Sequence, residues 1–152
     1  MLFRSGKKMK MKKFLKNVGV FAIMMLIVGM YITPKVAKAG YEYYFGVAFE
    51  KDGYEDYTTT EVKNTSSSVW MRCTTAESDD SYYSAYVYAV TSYGNRYDAS
   101  KGNFRNFYKG DSYNLVNWVN ERGYNRACVK CVGHNINEEY GSVFGGYWSP
   151  DI

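Results

Sequence analysis

Polar and apolar positions alternate over most of the chain beyond residue 40. In YEYYFGVAF (residues 41–49), Tyr41, Tyr43, Phe45, Val47 and Phe49 fall on one side. A period of two rich in aromatic side chains predicts a strand with one buried face. Asp52-Gly53 reads as a hairpin turn, and residues 56–63 predict a second, more polar strand. After a polar connection at 64–68, Val69, Met71 and Cys73 share one face of a third strand, with Trp70 and Arg72 opposite. Residues 82–91 predict a central strand with both faces partly covered. Tyr82, Tyr86, Tyr88 and Val90 lie on one side, and Tyr83, Ala85, Val87 and Ala89 on the other. Turn signals at Gly94-Asn95 and Lys109-Gly110-Asp111 bracket a short strand near Phe104 and Phe107.

Residues 112–122 fit two patterns. A helix would be capped by Asp111 and Gly123, with Leu115, Trp118 and Val119 on one face. A strand would alternate through Tyr113, Leu115 and Val119. Three asparagines and two valines favour the strand. Strands at 124–133 and 141–148 complete the chain. About eight strands separated by turn signals predict an all-β fold, a small antiparallel β-sandwich, with a small β-barrel as the alternative.

Composition agrees. After residue 39, Leu115 is the only leucine, Met71 the only methionine and Pro150 the only proline. The same segment holds 16 tyrosines, five phenylalanines and three tryptophans. Such a chain is poor in helix formers and rich in strand formers.

The first 39 residues follow a different pattern. Six lysines between Lys7 and Lys16 precede an apolar run of 15 residues, 18–32. Pro34 and the triplet Ala37-Lys38-Ala39 follow. This layout predicts a signal peptide over residues 1–39, cleaved after Ala39, and a secreted domain over 40–152. The apolar run is shorter than the ~20 residues a membrane-spanning helix needs, so no membrane span is expected after cleavage. The leader also carries nine of the 19 basic residues and no acidic one. The remaining domain has ten basic and 15 acidic residues, a net charge of −5. Scattered basic residues in a net acidic domain argue against nucleic acid as a partner.

Three cysteines and one histidine are the reactive side chains. In a secreted domain, one disulfide and one free thiol are expected. Cys131 shares the apolar face of its strand with Ala127 and Val129, and Cys73 lies with Val69 and Met71. Cys73–Cys131 is therefore the favoured bridge, with Cys73–Cys128 as the alternative. Cys128-x-x-Cys131 lacks the strand-to-helix setting of a redox pair. Cys73, Cys128, Cys131 and His134 offer zinc-ligand chemistry without a second paired motif, so no metal and no cofactor are predicted. His134 and Cys131 are three residues apart and would point to opposite faces of a strand.

Acidic groups gather at Glu50, Asp52, Glu55 and Asp56, and at Glu77, Asp79 and Asp80. Neither stretch has the spacing of a calcium loop, and both read as solvated turns. No phosphate loop, dinucleotide fingerprint, nucleophile elbow or His-Glu-x-x-His motif is present. The aromatic surplus carries the functional expectation. Exposed Tyr and Trp offer apolar area and a hydrogen bond at low entropic cost. The rings singled out are Tyr83, Tyr86, Tyr88, Trp118 and Trp148. The expected function is non-enzymatic binding of an extracellular or cell-surface partner, a glycan or a protein. A bacteriocin-like secreted antimicrobial is the alternative, and a hydrolase using the loop carboxylates is a third.

Four stretches, residues 41–45, 64–69, 121–124 and the ending Tyr147-Trp148-Ser149-Pro150-Asp151, resemble an uncharacterised group of small secreted Gram-positive proteins. The resemblance implies a secreted β-rich domain and brings no catalytic residues with it.

Overall fold

The computed structural model describes residues 40–152, so the leader expected over 1–39 lies outside the described residues. Ten strands are present: β1 (Tyr43–Phe49), β2 (Glu55–Tyr57), β3 (Glu61–Val62), β4 (Val69–Ala76), β5 (Tyr82–Val90), β6 (Arg96–Asp98), β7 (Arg105–Phe107), β8 (Ser112–Leu115), β9 (Arg126–His134) and β10 (Ser142–Ser149). They form two antiparallel sheets. The first runs β1-β10-β4-β8; the second runs β2-β9-β5-β6, with β3 also on β9 and β7 also on β5. The fold is the expected β-sandwich and is not closed into a barrel. Among the described residues no helix is long and apolar enough to cross a membrane.

Most connections cross between the sheets. Asp52-Gly53 turns the chain, with Gly53 at φ 78°, but it joins β1 of one sheet to β2 of the other rather than closing a hairpin. Three segments differ from expectation. Residues 56–63 break into β2 and β3 because the Thr58 hydroxyl accepts the Val129 N–H at 2.9 Å, replacing a main-chain acceptor. In 112–122 only Ser112–Leu115 pairs, and a 3₁₀ turn follows at Asn120–Arg122, closed by Gly123 at φ 81°. There Asn117 donates to the Ser67 and Leu115 carbonyls and accepts from the Val119 N–H, so its side chain satisfies backbone that a longer strand would have paired. Arg96–Asp98 adds an edge strand that the alternation did not mark.

The core is built large against small. The first sheet supplies Phe45, Phe49, Met71, Phe144 and Trp148; the second supplies Ala85, Val87, Ala89, Ala127, Val129 and Cys131. Tyr83 is the one large ring entering from β5. It stacks on Phe107 at 5.2 Å and meets Phe144 edge-on at 5.2 Å. Gly146 is required where β10 bulges against β4, because a Cβ there would strike the Arg72 carbonyl.

One end of the sandwich is fastened by a buried ion pair. Lys63 follows β3, is 0 % exposed and donates to the carbonyls of Ser67 (2.6 Å) and Pro150 (2.6 Å) and to Asp151 Oδ1 (3.2 Å). Asp151, beyond β10, also accepts from the Asn64 N–H at 2.8 Å, and from the Thr65 N–H at 3.1 Å and hydroxyl at 2.7 Å. The pair links the chain leaving the second sheet to the chain leaving the first. Burial pushes the Lys63 ammonium down from its usual value, and Asp151 pulls it back. Burial opposes the charge on Asp151, but the N–H groups of Asn64 and Thr65, the Thr65 hydroxyl and Lys63 hold it below 3.8.

The cysteines correct the expected disulfide: Cys73, Cys128 and Cys131 are all free and buried. Cys73 and Cys131 enter the core from opposing sheets, which pack about 10 Å apart, while a disulfide needs Cα atoms within about 4.4–6.8 Å. The Tyr83 ring lies close to both thiols. Cys128 is on the opposite face of β9 and reaches neither. Burial raises the Cys73 thiol to about 11 and the Cys131 thiol well above its usual value.

Two outcomes follow from this packing. Removing one partner of a buried pair strands the other charge, so Asp151→Asn should cost about 3–5 kcal/mol in urea unfolding at neutral pH. Because the Asp151 carboxyl is depressed in the folded protein, its stabilisation is complete above its unfolded value, near pH 4, and is lost as pH falls through the folded value. Wild type should therefore lose stability more steeply below about pH 4 than Asp151→Asn; parallel slopes would refute the assignment. Thiol counting gives the second outcome. Alkylation should modify no cysteine in the native protein and all three in guanidinium chloride without reductant. A single adduct in denaturant would restore the disulfide.

Candidate functional site

The solvent side of the second sheet is covered with rings. Strand alternation and register put Tyr82, Ser84, Tyr86 and Tyr88 of β5 opposite His134, Val132, Lys130 and Cys128 of β9. Glu55 and Tyr57 of β2 continue the same side opposite Val132 and Lys130. The opposite face of β5 fills the core, so these tyrosines are turned outward by the same alternation that buries Ala85, Val87 and Ala89.

Two linked clusters result. In the first, the Arg96 guanidinium lies 4.3 Å from the Tyr57 ring centroid, and Tyr57 meets Tyr88 edge-on at 5.9 Å. Lys130 Nζ sits 5.6 Å from the Tyr88 ring and 5.7 Å from the Tyr86 ring, and pairs with Glu55 at 2.6 Å. Phe104 stacks on Tyr86 at 5.1 Å. Partial burial opposes the charge on Lys130, but Glu55 and Tyr88 outweigh it and hold the ammonium above its usual value. Burial, then the Glu55 carboxylate, raises the Tyr57 phenol, which stays a neutral donor at pH 7. Cys128 is buried on this outer face beneath Arg96; burial raises its thiol and the guanidinium partly offsets this.

In the second cluster, Tyr82 is sandwiched between Tyr108 at 4.9 Å and His134 at 4.8 Å. His134 Nε2 is 2.9 Å from the Ser84 hydroxyl, which donates to Asn106 Oδ1 at 2.8 Å. The Ser84 hydroxyl therefore bridges Asn106 Oδ1 and His134 Nε2. Ser84 is also only 3 % exposed. The bridge positions the imidazole against Tyr82.

Tyr86 and Tyr88, singled out from the sequence, lie on this face. Tyr83 and Trp148 do not: both are 0 % exposed in the core, which removes them as binding rings. Trp118 stands apart on the loop after β8, with Lys101 Nζ 4.3 Å from its ring centroid. The alternation of 82–91 already placed Tyr82 with Tyr86 and Tyr88. Tyr57, Arg96, Phe104 and Tyr108 gave no such signal, because strand pairing and the fold-back around β7 bring them here.

The acidic turns are engaged locally. Asp52 accepts the Ile136 N–H at 2.6 Å, and Asp56 accepts the N–H groups of Ala48 at 3.1 Å and Tyr57 at 2.8 Å. Among the described residues no three His, Cys, Asp or Glu side chains are grouped to hold a metal. A recess lined by Asn103, Phe104, Arg105, Asn114, Leu115 and Val116 is about 40 Å³, far below the ~300 Å³ of a small-molecule pocket.

No curated protein matches the chain. The crystal structure of the SPBc2 prophage-derived protein YomS is similar at a TM-score of 0.37 and 11% identity, covering 78% of this chain and 97% of that one. Residues 33–152 match the family described as "Protein of unknown function (DUF2712)", and the chain belongs to that family.

Proposed function

We propose that the protein is a secreted, non-enzymatic binding protein whose second-sheet outer face takes up an extracellular partner, a glycan or a protein. The carrying observation is the position of the rings. Six aromatic side chains, Tyr57, Tyr82, Tyr86, Tyr88, Phe104 and Tyr108, cover a sheet face that has no second layer of protein over it among the described residues. Tyr108 and Phe104, 43% and 45% exposed, stack on Tyr82 and Tyr86 and leave part of their own rings open to solvent. Rings already held by stacking lose little further freedom on binding, which favours affinity from a flat surface. The N-terminal leader pattern supports placing this surface outside the cell.

A glycan array and capture of surface proteins with the full-length protein would identify the partner. Phe104→Ala and Tyr108→Ala should each weaken that partner about tenfold while the unfolding transition stays cooperative. Tyr93→Ala, at a 92% exposed turn position off this face, should leave affinity unchanged. Retained affinity in both Phe104→Ala and Tyr108→Ala would overturn the reading.

A further inference from the structure

Resting on that reading, we infer that the partner is an anionic glycan: sugar rings lie against Phe104 and Tyr108, and carboxylate or phosphate groups meet Arg96 and its neighbours. The argument is one of charge. The domain over 40–152 is net acidic, yet its outer second-sheet face holds Arg96, Arg126 and Lys130. Among the described residues, Arg96 and Arg126 form no ion pair with a carboxylate. Of the acids near Arg96, Glu55 is neutralised by Lys130 at 2.6 Å, whereas Asp98 keeps its charge and is turned to Ser100, accepting from its N–H at 2.7 Å and its hydroxyl at 2.6 Å.

Arg96 is also pre-positioned. Its guanidinium rests on the Tyr57 ring rather than swinging free, and it is solvent-exposed. A planar guanidinium held this way offers a paired donor edge that matches carboxylate and phosphate geometry. The contacts from Arg96 through Tyr57, Tyr88, Lys130 and Tyr86 to Phe104 are unbroken. A charge site and a stacking site therefore occupy one continuous strip across the sheet. A neutral glycan would use only the rings.

The test titrates full-length protein with four probes: polygalacturonate for carboxylate, a phosphomannan for phosphate, neutral dextran and polyglutamate. Either anionic glycan polymer should bind at least tenfold more tightly than dextran, and the preference should shrink as salt rises. Which of the two binds better identifies the anion. Arg96→Gln should lose about tenfold for the anionic polymer and nothing for dextran, with unchanged circular dichroism. Phe104→Ala should weaken both glycans. Equal binding of dextran and the anionic polymers, with Arg96→Gln silent, overturns this inference and leaves the binding face standing. Polyglutamate binding as tightly as the anionic glycans overturns it in favour of an acidic peptide. If no probe binds, and glycan-array binding is absent too, the inference and the glycan reading of the face both fail.

Discussion

A lysine ammonium shut away from water must find every hydrogen bond inside the protein, because an unpaired buried charge costs several kcal/mol. Lys63 meets this demand with two carbonyls and Asp151, and those partners come from the 64–69 loop and the chain end beyond β10. Its own N–H bonds to the Asn125 carbonyl at 2.9 Å, and its carbonyl accepts from the Asn120 side chain at 3.1 Å. Ser67, Asn120, Asn125 and the chain end at 150–151 are thereby tied to one residue, through its side chain and its main chain. Segments 64–69 and 147–151 form this point, 121–124 adjoins it, and β1 pairs along β10. Several of these residues build the clamp between the sheets.

The clamp holds two sheets of unequal character together. One presents large side chains to the core and the other presents mainly alanine and valine. Filling a gap of about 10 Å this way leaves little room for tyrosines inside, and Tyr83 is the exception. The remaining tyrosines of β5 must stand outside. Once outside, they are half-covered by one another, by Phe104 and Tyr108, and by the stems of Arg96 and Lys130. The ring-covered face is thus a consequence of core size as much as of sequence composition. Its cations are placed by the same stacking.

The thiols contribute stability rather than chemistry. Each is buried and each is shifted away from the thiolate. A nucleophilic cysteine needs the opposite environment, electropositive and partly open. Ser84, which His134 contacts, is 3 % exposed, and its hydroxyl is shared with Asn106. What the outer face of the second sheet offers instead is an array of stacked rings with cations set among them.

Alternation alone established the faces of β1, β4, β5 and β9, and with them the core positions Phe45, Val47, Met71, Val87 and Val129. It did so because a period of two records which side of a strand is shielded from water. The turn at Asp52-Gly53 was legible for the same local reason, a glycine at positive φ. Partnership was not legible. A period of two does not say which sheet a strand joins, so β1 and β2 read as a hairpin although they lie in different sheets. Nor does it give the distance across the core, on which the Cys73–Cys131 bridge depended. Tyr83 and Trp148 looked like surface rings by composition, and only the facing sheet buried them. Arg96, Tyr57 and Phe104 are separated by tens of residues, and the tertiary structure alone made them one strip, because strand order rather than sequence order sets who stands beside whom.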